Sequence, residues 1–351
     1  MNLQNIYRNL VVRIRPHLQL GLDLGEAGIK LVLADRRLEG VPIVSYRFYR
    51  ETVKEEEPVS VSRFRDFLKS HKLLGLPTAC NLEDPSLRIR RIDLPKMPDF
   101  DLREAVRWQL RDILDDSVDL YAVRYSILEE YQTEESAKLA LVAYAVHRSA
   151  VSNRITLLRK LGLKPVLIEP NAVSLLSALD RLLPWNPNGA GHQTLYAALD
   201  LGANHSGFVA MGDHKLYFSR PLAEISEKSF LQTVVQELAI SQEDAVALRE
   251  SLLQKGTPDG PLQAVLPVYY GKIAIEVQRS LDTLSLLFHK VNRVERLILC
   301  GGGAVLPGLK EYLSKNVGIR TETLSPFQGW NLEGNDHHLY WVATGLALYP
   351  G

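Results

Sequence analysis

The sequence predicts an α/β protein of two lobes, each opening on a mixed β-sheet, with a smaller α+β subdomain inserted in the first lobe. Three stretches carry that expectation. Asp23-Leu24-Gly25-Glu26-Ala27-Gly28-Ile29-Lys30 ends an apolar run and turns sharply on glycine. Asp200-Leu201-Gly202-Ala203-Asn204-His205-Ser206 repeats the device in the other half of the chain. Cys300-Gly301-Gly302-Gly303-Ala304 then puts a glycine run after a buried strand. Glycine lets a backbone reverse with its N–H groups exposed, where a phosphate or a base can sit. Two aspartate-led turns, one per half, imply two lobes closing on one ligand.

Residues 1–17 form an arm. Leu3, Ile6, Tyr7, Leu10, Val11 and Ile14 recur at helical spacing with Arg8, Arg13 and Arg15 between them. That pattern predicts a short amphipathic helix packed on the body or frayed, the alternative being a helix lying in a membrane interface. The first lobe spans 18–183. Leu18–Leu24, Ile29–Asp35 and Ile43–Tyr49 read as a three-strand meander with turns at Gly25–Gly28 and near Gly40-Val41-Pro42. Residues 52–58 are an acidic loop, and Val61–His71 is a helix with Phe64, Phe67 and Leu68 on one face. Thr78–Asn81 and Leu87–Leu94 are strands. Asp101–Ile113 follows as a helix with Asp101 as N-cap and Glu104 as its capping-box partner. Tyr121–Leu128 and Leu139–Val146 are strands across the polar turn Gln132–Ser136, and Ser149–Leu161 is a helix ended by Gly162. The span from about 80 to 165 thus reads as the inserted subdomain. Lys164–Glu169 returns to the main sheet and Asn171–Leu182 is a helix. The Pro-, Asn- and Gly-rich stretch 184–191 marks the lobe boundary.

The second lobe, 192–340, repeats the opening with strands Leu195–Leu201, Ser206–Met211 and Lys215–Arg220. Helices Glu227–Leu238, Gln242–Leu253 and Leu262–Val291 follow, then strand Arg296–Leu299 and helix Leu306–Lys315. Residues 341–351, helical over Trp341–Leu348, are expected to pack back on the first lobe.

Composition narrows the function classes. The chain has 351 residues, 46% apolar and 23% charged, enough for two cores. Forty-one basic side chains balance 41 acidic ones, so no nucleic-acid partner is signalled. Cys80 and Cys300 make no disulfide framework and fit a reducing compartment. No apolar run approaches the roughly 18 to 20 residues of a transmembrane span, and no secretory h-region opens the chain. A cytoplasmic protein is expected.

The turns suggest a division of labour. Asp23 and Asp200 are the candidate metal ligands, since magnesium keeps several waters and takes only one or two carboxylates. Lys30 is placed to reach phosphates as a point charge. Gly25, Gly202 and Ser206 shape the turns, and Gly301, Gly302 and Gly303 would let a flat adenine or ribose approach closely. In Leu167-Ile168-Glu169-Pro170-Asn171-Ala172 a strand ends on an acid before a helix. Glu169 is the catalytic candidate facing metal or water, the alternative being a surface acid. A lone Asp-x-Gly turn is commonly structural. The combination of three at this separation is what points to a nucleotide.

These segments resemble the phosphate, connecting and adenosine motifs of the actin-like ATPase superfamily, a ribonuclease H-like fold of two lobes. Asp23-x-Gly25 with Lys30 looks like its first phosphate loop and Asp200-x-Gly202 with Ser206 like its second. Ile168-Glu169-Pro170-x-Ala172 looks like the first connecting segment, Gly301–Ala304 like the adenosine motif, and Ala343–Leu348 like the last connecting helix. Within that superfamily the sequence is similar to the PilM-type pilus assembly proteins over about residues 18 to 349. Glu104–Gln109 with Asp119–Leu128, Glu276–Asp282, Leu297–Leu309, and Gly318-Ile319 leading to Ser325-Pro326-Phe327 carry that likeness. The resemblance implies ATP and Mg2+ as ligands, Arg249 as a nucleoside contact, and a scaffold role in a type IV pilus or related secretion machine. It also implies docking of the N-terminal cytoplasmic tail of a bitopic, PilN-like inner-membrane protein, in a groove between the inserted subdomain and the main sheet. The chain would then be peripheral to the inner membrane through its partner, with a homo-oligomer left open.

Three departures bear on turnover. Glu26 stands where the superfamily commonly has a small hydroxyl residue. Pro221-Leu222-Ala223-Glu224 replaces a glycine pair, and Val246 with Arg249 replaces an acid and a lysine that contact the nucleoside. They weigh against hydrolysis. A sugar- or acetate-type kinase of the same fold is the alternative, but it needs a base near its acceptor hydroxyl, and no acidic motif of that kind stands out. A division-type filament protein would carry a C-terminal amphipathic helix after a linker, where this sequence ends soon after its closing helix.

Overall fold

A computed structural model describes residues 17–38, 41–49, 61–134, 136–183, 193–258, 260–288, 291–330, 332, 334 and 336–349. The amphipathic arm up to residue 16, the turn at Gly40, the acidic loop 52–58 and the boundary stretch 184–191 lie outside the described residues.

In chain order the first half carries β1 (Leu18–Leu24), β2 (Gly28–Asp35), β3 (Val41–Tyr49), α1 (Val61–Ser70), β4 (Pro77–Asn81), β5 (Arg88–Pro95) and α2 (Asp99–Leu110). It continues through β6 (Tyr121–Gln132), β7 (Ala137–His147), α3 (Arg148–Lys160), β8 (Lys164–Glu169) and α4 (Asn171–Asp180). The second half carries β9 (Gln193–Leu201), β10 (Ser206–Gly212), β11 (Lys215–Leu222), α5 (Glu227–Leu238), α6 (Gln242–Lys255) and α7 (Leu262–Leu287). It closes through β12 (Val291–Cys300), α8 (Leu309–Val317), β13 (Arg320–Glu322) and α9 (Trp341–Ala347).

The two five-stranded sheets share one topology. Their orders are β3-β2-β1-β4-β8 and β11-β10-β9-β12-β13. In each, an antiparallel meander of three strands is extended by two parallel ones. The repeated meander legible in the sequence is therefore a duplicated whole sheet. β1 is buried nearly throughout because both of its faces are covered, with leucines at every second position on one face and Gln19, Gly21 and Asp23 on the other. One face meets α1 and α3 through Leu20, Leu22, Phe64, Leu68 and Leu158. The other meets α9, and there Gly21 is obligatory: a Cβ on it would lie 2.0 Å from the carbonyl oxygen of Ala343.

A third, antiparallel sheet of order β5-β7-β6 has its central strand covered on both faces. The strand period of two sorts β7 between two cores. Leu139, Leu141, Ala143 and Ala145 face α2. Ala140 and Val142 join Leu128 in the core of the second lobe.

Several boundaries differ from the sequence reading. The long helix stops at Leu287, and Val291 already belongs to β12. Apolar residues continue through Phe288 and Val291 into the strand, so periodicity alone ran past the break. Asp101 is not an N-cap: α2 starts at Asp99 after Pro98, which makes no side-chain cap. The helix after the glycine run starts at Leu309, not Leu306, because Gly308 at φ 81° sets the entry and residues 302–305 form a 3-10 turn. β13 has only three residues and left no pattern to read.

Candidate functional site

Pairing of β1 with β2 puts Lys30 directly across from Asp23. The Lys30 ammonium lies 3.0 Å from Asp23 Oδ2, and Asp23 is buried. A Cβ at Gly25 would come within 2.5 Å of that ammonium, so glycine here makes room for the lysine. Asp23 Oδ1 accepts from Asn81 Nδ2 at 2.9 Å. The same amide donates to Asn171 Oδ1 at 3.0 Å, while Asn81 Oδ1 accepts from the Leu24 N–H at 2.8 Å. One side chain at the end of β4 thus ties the first turn to the start of α4.

In the second turn the Gly202 N–H donates to Ser206 Oγ at 3.2 Å, closing the hairpin. A Cβ on Gly202 would sit 2.2 Å from the His205 carbonyl. Asp200, next to last in β9, pairs with Cys300 of β12. Gly301 adopts φ 78°, and a Cβ there would lie 2.5 Å from Asp200 Oδ1. Gly303 likewise has room only for hydrogen against Leu201, whereas the missing side chain of Gly302 meets nothing nearer than Leu339 at 3.9 Å.

The two turns face one crevice. Glu26 Oε1 of the first lies 3.6 Å from His205 Nδ1 of the second, tip to tip. Burial and then the charge of Asp23 push Asp200 up to about 6, with Lys30 opposing both. Two like charges sharing a site cannot both ionise freely, and a cation between them offsets the repulsion.

Glu169 is not brought to this pair. Its carboxylate accepts from Ser174 Oγ at 2.8 Å, and burial lifts it to about 7 with no contribution from either aspartate. The acid that does face them is Glu83, which the sequence reading missed. Glu83 Oε1 accepts from the Asn171 N–H at 2.8 Å. Crowding by the surrounding protein pushes Glu83 up to about 7, with Asp200 and Asp23 adding to the shift, although the carboxyl remains open to solvent at the cleft rim. No local pattern announces it: Glu83 and Asn81 matter because β4 ends between the two turns.

Arg249 lies elsewhere in the cleft. With Leu201, Gly202, Phe230, Leu253, Tyr269 and Leu306 it encloses a slot against Gly302 and Gly303. Glu227, the first residue of α5, enters the same slot and pairs with Arg249 at 2.6 Å. The acid that α6 lacks at Val246 therefore arrives from α5. The signal was available: Ser226 is an N-cap, which puts an acid at 227 in the first turn. The slot measures about 20 Å³ with that pair closed across it.

These residues fit a magnesium-bound nucleotide in kind. Carboxylates at 23 and 200, an ammonium at 30 and close-approach glycines are the donor set it calls for. Among the described residues no three His, Cys, Asp or Glu side chains gather into a metal site. Magnesium does not require such a cage when phosphates supply the other ligands. Also among the described residues, no helix is long and apolar enough to cross a membrane.

The model of the type IV pilus assembly protein PilM family matches residues 21–350. No curated protein sequence matches significantly. Among solved structures, the chain is similar to the PilM-PilN type IV pilus biogenesis complex, with a TM-score of 0.75 at 20% identity over 95% of this chain and 98% of that one. It is also similar to the ethanolamine utilization protein EutJ from Carboxydothermus hydrogenoformans, with a TM-score of 0.57 at 17% identity over 96% and 91% of the two chains. At such identities the likeness concerns the fold, which is the actin-like, two-lobed one with duplicated mixed sheets. The family match runs from within β1 to beyond α9, and on it this chain belongs to the PilM family of type IV pilus assembly proteins.

Proposed function

We propose that this chain is a cytoplasmic scaffold of a type IV pilus or related secretion machine, with magnesium-ATP as the ligand that sets lobe closure. Its partner would be the N-terminal cytoplasmic tail of a PilN-like inner-membrane protein, the pairing named for the similar solved complex. The observation that carries the ligand role is that the polar side chains of the cleft partner one another. Lys30 is held by Asp23, Arg249 by Glu227, and Glu26 meets His205 across the two turns. Arriving phosphates would draw Lys30 from Asp23 and free that carboxylate for a cation. A ligand touching both turns shifts the population of closed lobes by its differential affinity for them. When bound, the nucleotide supplies the negative charge that this exchange of partners needs. Asp23 and Asp200 would hold the metal, and the turn at Gly202 would present its backbone.

For the tail, a groove of about 450 Å³ runs between α2, β6 and the first residue of α3. Arg103, Glu104, Arg107, Asp119, Arg124, Tyr125 and Arg148 line it, with Arg107 paired to Asp119 and Arg103 to Asp99, and the exposed Trp108 stands on α2 beside it. Guanidinium groups beside an aromatic anchor suit an extended peptide, offering donors to its carbonyls and a surface to one apolar side chain. Melting curves with and without magnesium-ATP test the ligand role: the melting temperature should rise, and Asp200→Ala should remove the rise. Equal curves for the unaltered protein would refute the role. Co-purification from the native host tests the scaffold role, where a small bitopic membrane protein should be recovered and Trp108→Ala should weaken its capture about tenfold or more.

A further inference from the structure

The strands of the first five-stranded sheet have their cleft residues at one end and a different chemistry at the other. At that far end Leu18 of β1 pairs with Asp35 of β2, Asp35 with Val41 of β3, and Pro77 of β4 with Lys164 of β8. The connections leaving it are basic. Arg36 and Arg37 follow β2, and Lys69 and Lys72 lie between the last turn of α1 and the start of β4. Arg159 and Lys160 close α3, and Lys164 opens β8. All of these side chains are exposed. Residues 36–38, 69–76 and 159–164 contain no Asp or Glu. Two of the connections are bonded together: the Gly75 N–H donates to the Gly162 carbonyl at 2.7 Å and the Lys164 N–H to the Leu76 carbonyl at 3.0 Å. Asp35, buried and held by Arg37 at 2.6 Å, offsets one of the charges, and the exposed Asp66 stands three residues before Lys69.

Cations at helix C-termini complement the helix dipole, which accounts for Lys69, Arg159 and Lys160. It does not account for the arginines after β2 or for Lys164. Nor does net charge, since 41 basic side chains balance 41 acidic ones in the whole chain. The positive potential is local to this end of the lobe. Residues 1–16, which lie outside the described residues, lead into β1 at the same end. They carry Arg8, Arg13 and Arg15, no acid, and apolar side chains at helical spacing that include Leu10 and Ile14.

We propose that this end of the first lobe lies against an anionic phospholipid surface, with residues 1–16 entering the headgroup layer as an amphipathic helix. An apolar stripe and a basic patch each hold a protein weakly at a membrane, and the two together hold it stably. A nucleic acid would use the cations and leave the apolar stripe without a partner, so the pattern favours lipid. The contact goes beyond the scaffold reading because it needs no partner tail. It also orients the molecule. α3 runs from Arg148, at the groove, to Lys160, at the basic end, which holds the groove about 20 Å from the lipid surface.

The test is co-sedimentation of the full chain, without partner or nucleotide, with vesicles of phosphatidylcholine alone or mixed with phosphatidylglycerol. The protein should bind the mixed vesicles about tenfold or more tightly than the neutral ones, and added salt should release it. Each cation near such a surface is worth about fivefold in affinity. Lys72→Glu with Lys160→Glu should therefore weaken binding about twentyfold or more while the melting temperature holds, both side chains being exposed. Leu10→Asp with Ile14→Asp should weaken it about tenfold or more; unchanged binding there overturns the part given to residues 1–16. Equal binding to both kinds of vesicle, unchanged binding after the charge reversals, or no binding by the unaltered protein overturns the proposal. Capture by a DNA duplex with none by the vesicles also overturns it and gives the basic end to a nucleic acid.

Discussion

Asp200, a proposed cation ligand, carries a charge that the fold around it opposes. Its carboxyl is pushed from an ordinary 3.8 up to about 6, first by burial and then by Asp23. Between those two values the folded chain keeps a proton that the unfolded chain has released. Stability therefore falls as pH rises through that window and stays lower above it. Asp200→Asn removes the penalty. It should raise the melting temperature at pH 8 relative to the unaltered protein, by a stability gain on the order of 1–3 kcal/mol, and should change little at pH 4. Thermal melts at the two pH values check this, and an Asn variant less stable at pH 8 would show that the carboxylate is paired favourably in the fold. Sequence spacing was enough to place Asp23 and Lys30 together, because seven residues around a tight turn bring them into cross-strand register. It could not show Glu83 beside Asp200, since that meeting depends on where a distant strand ends.

Elements were legible wherever one periodicity held, and least so where it changed. β1 emerges at the expected bounds, Leu18–Leu24, because leucines at every second position lead up to a glycine turn. The break between α7 and β12 was hidden by apolar residues on both sides, and the capping assigned to Asp101 failed because Pro98 allows the helix to start earlier. α9 is the element whose placement the glycines decide. Seven residues are all buried, wedged between β1 and α4. Gly345 sits so close to α4 that a Cβ would lie 1.8 Å from the Ser174 carbonyl oxygen, with backbone rather than a flexible side chain in the way. Gly345→Ala should therefore lower the urea midpoint by an amount equal to about 1–3 kcal/mol, with the slope of the transition unchanged.

At the scale of the whole molecule, the three-stranded sheet belongs to the first half of the chain by sequence but shares its core with the second. Leu128, Ala140 and Val142 are buried among second-lobe side chains. Lys215 Nζ donates to the Leu128 carbonyl at 2.6 Å. Arg91 donates to the Leu287 carbonyl at 2.5 Å, where α7 ends, and its guanidinium lies 4.5 Å from the centre of the Phe288 ring. No sequence pattern announces this docking, because the near-continuous apolar run of β7 shows that both faces are covered and not by what. Its consequence is mechanical: any change in lobe closure must carry the inserted sheet with the second lobe or break these contacts. Arg91→Ala removes the cap on α7 and the cation–ring contact together, at a site far from the cleft. Hydrogen exchange in β5 and at the end of α7 should then quicken, while β1 and β4 exchange as before. Protection of the inserted sheet on adding magnesium-ATP should shrink in the same variant if lobe closure reaches it through this contact. Exchange that quickens equally in β1, β4 and β5 would mean that the inserted sheet moves as part of the first lobe, and the coupling would have to run through the strand connections at residues 81–88 instead.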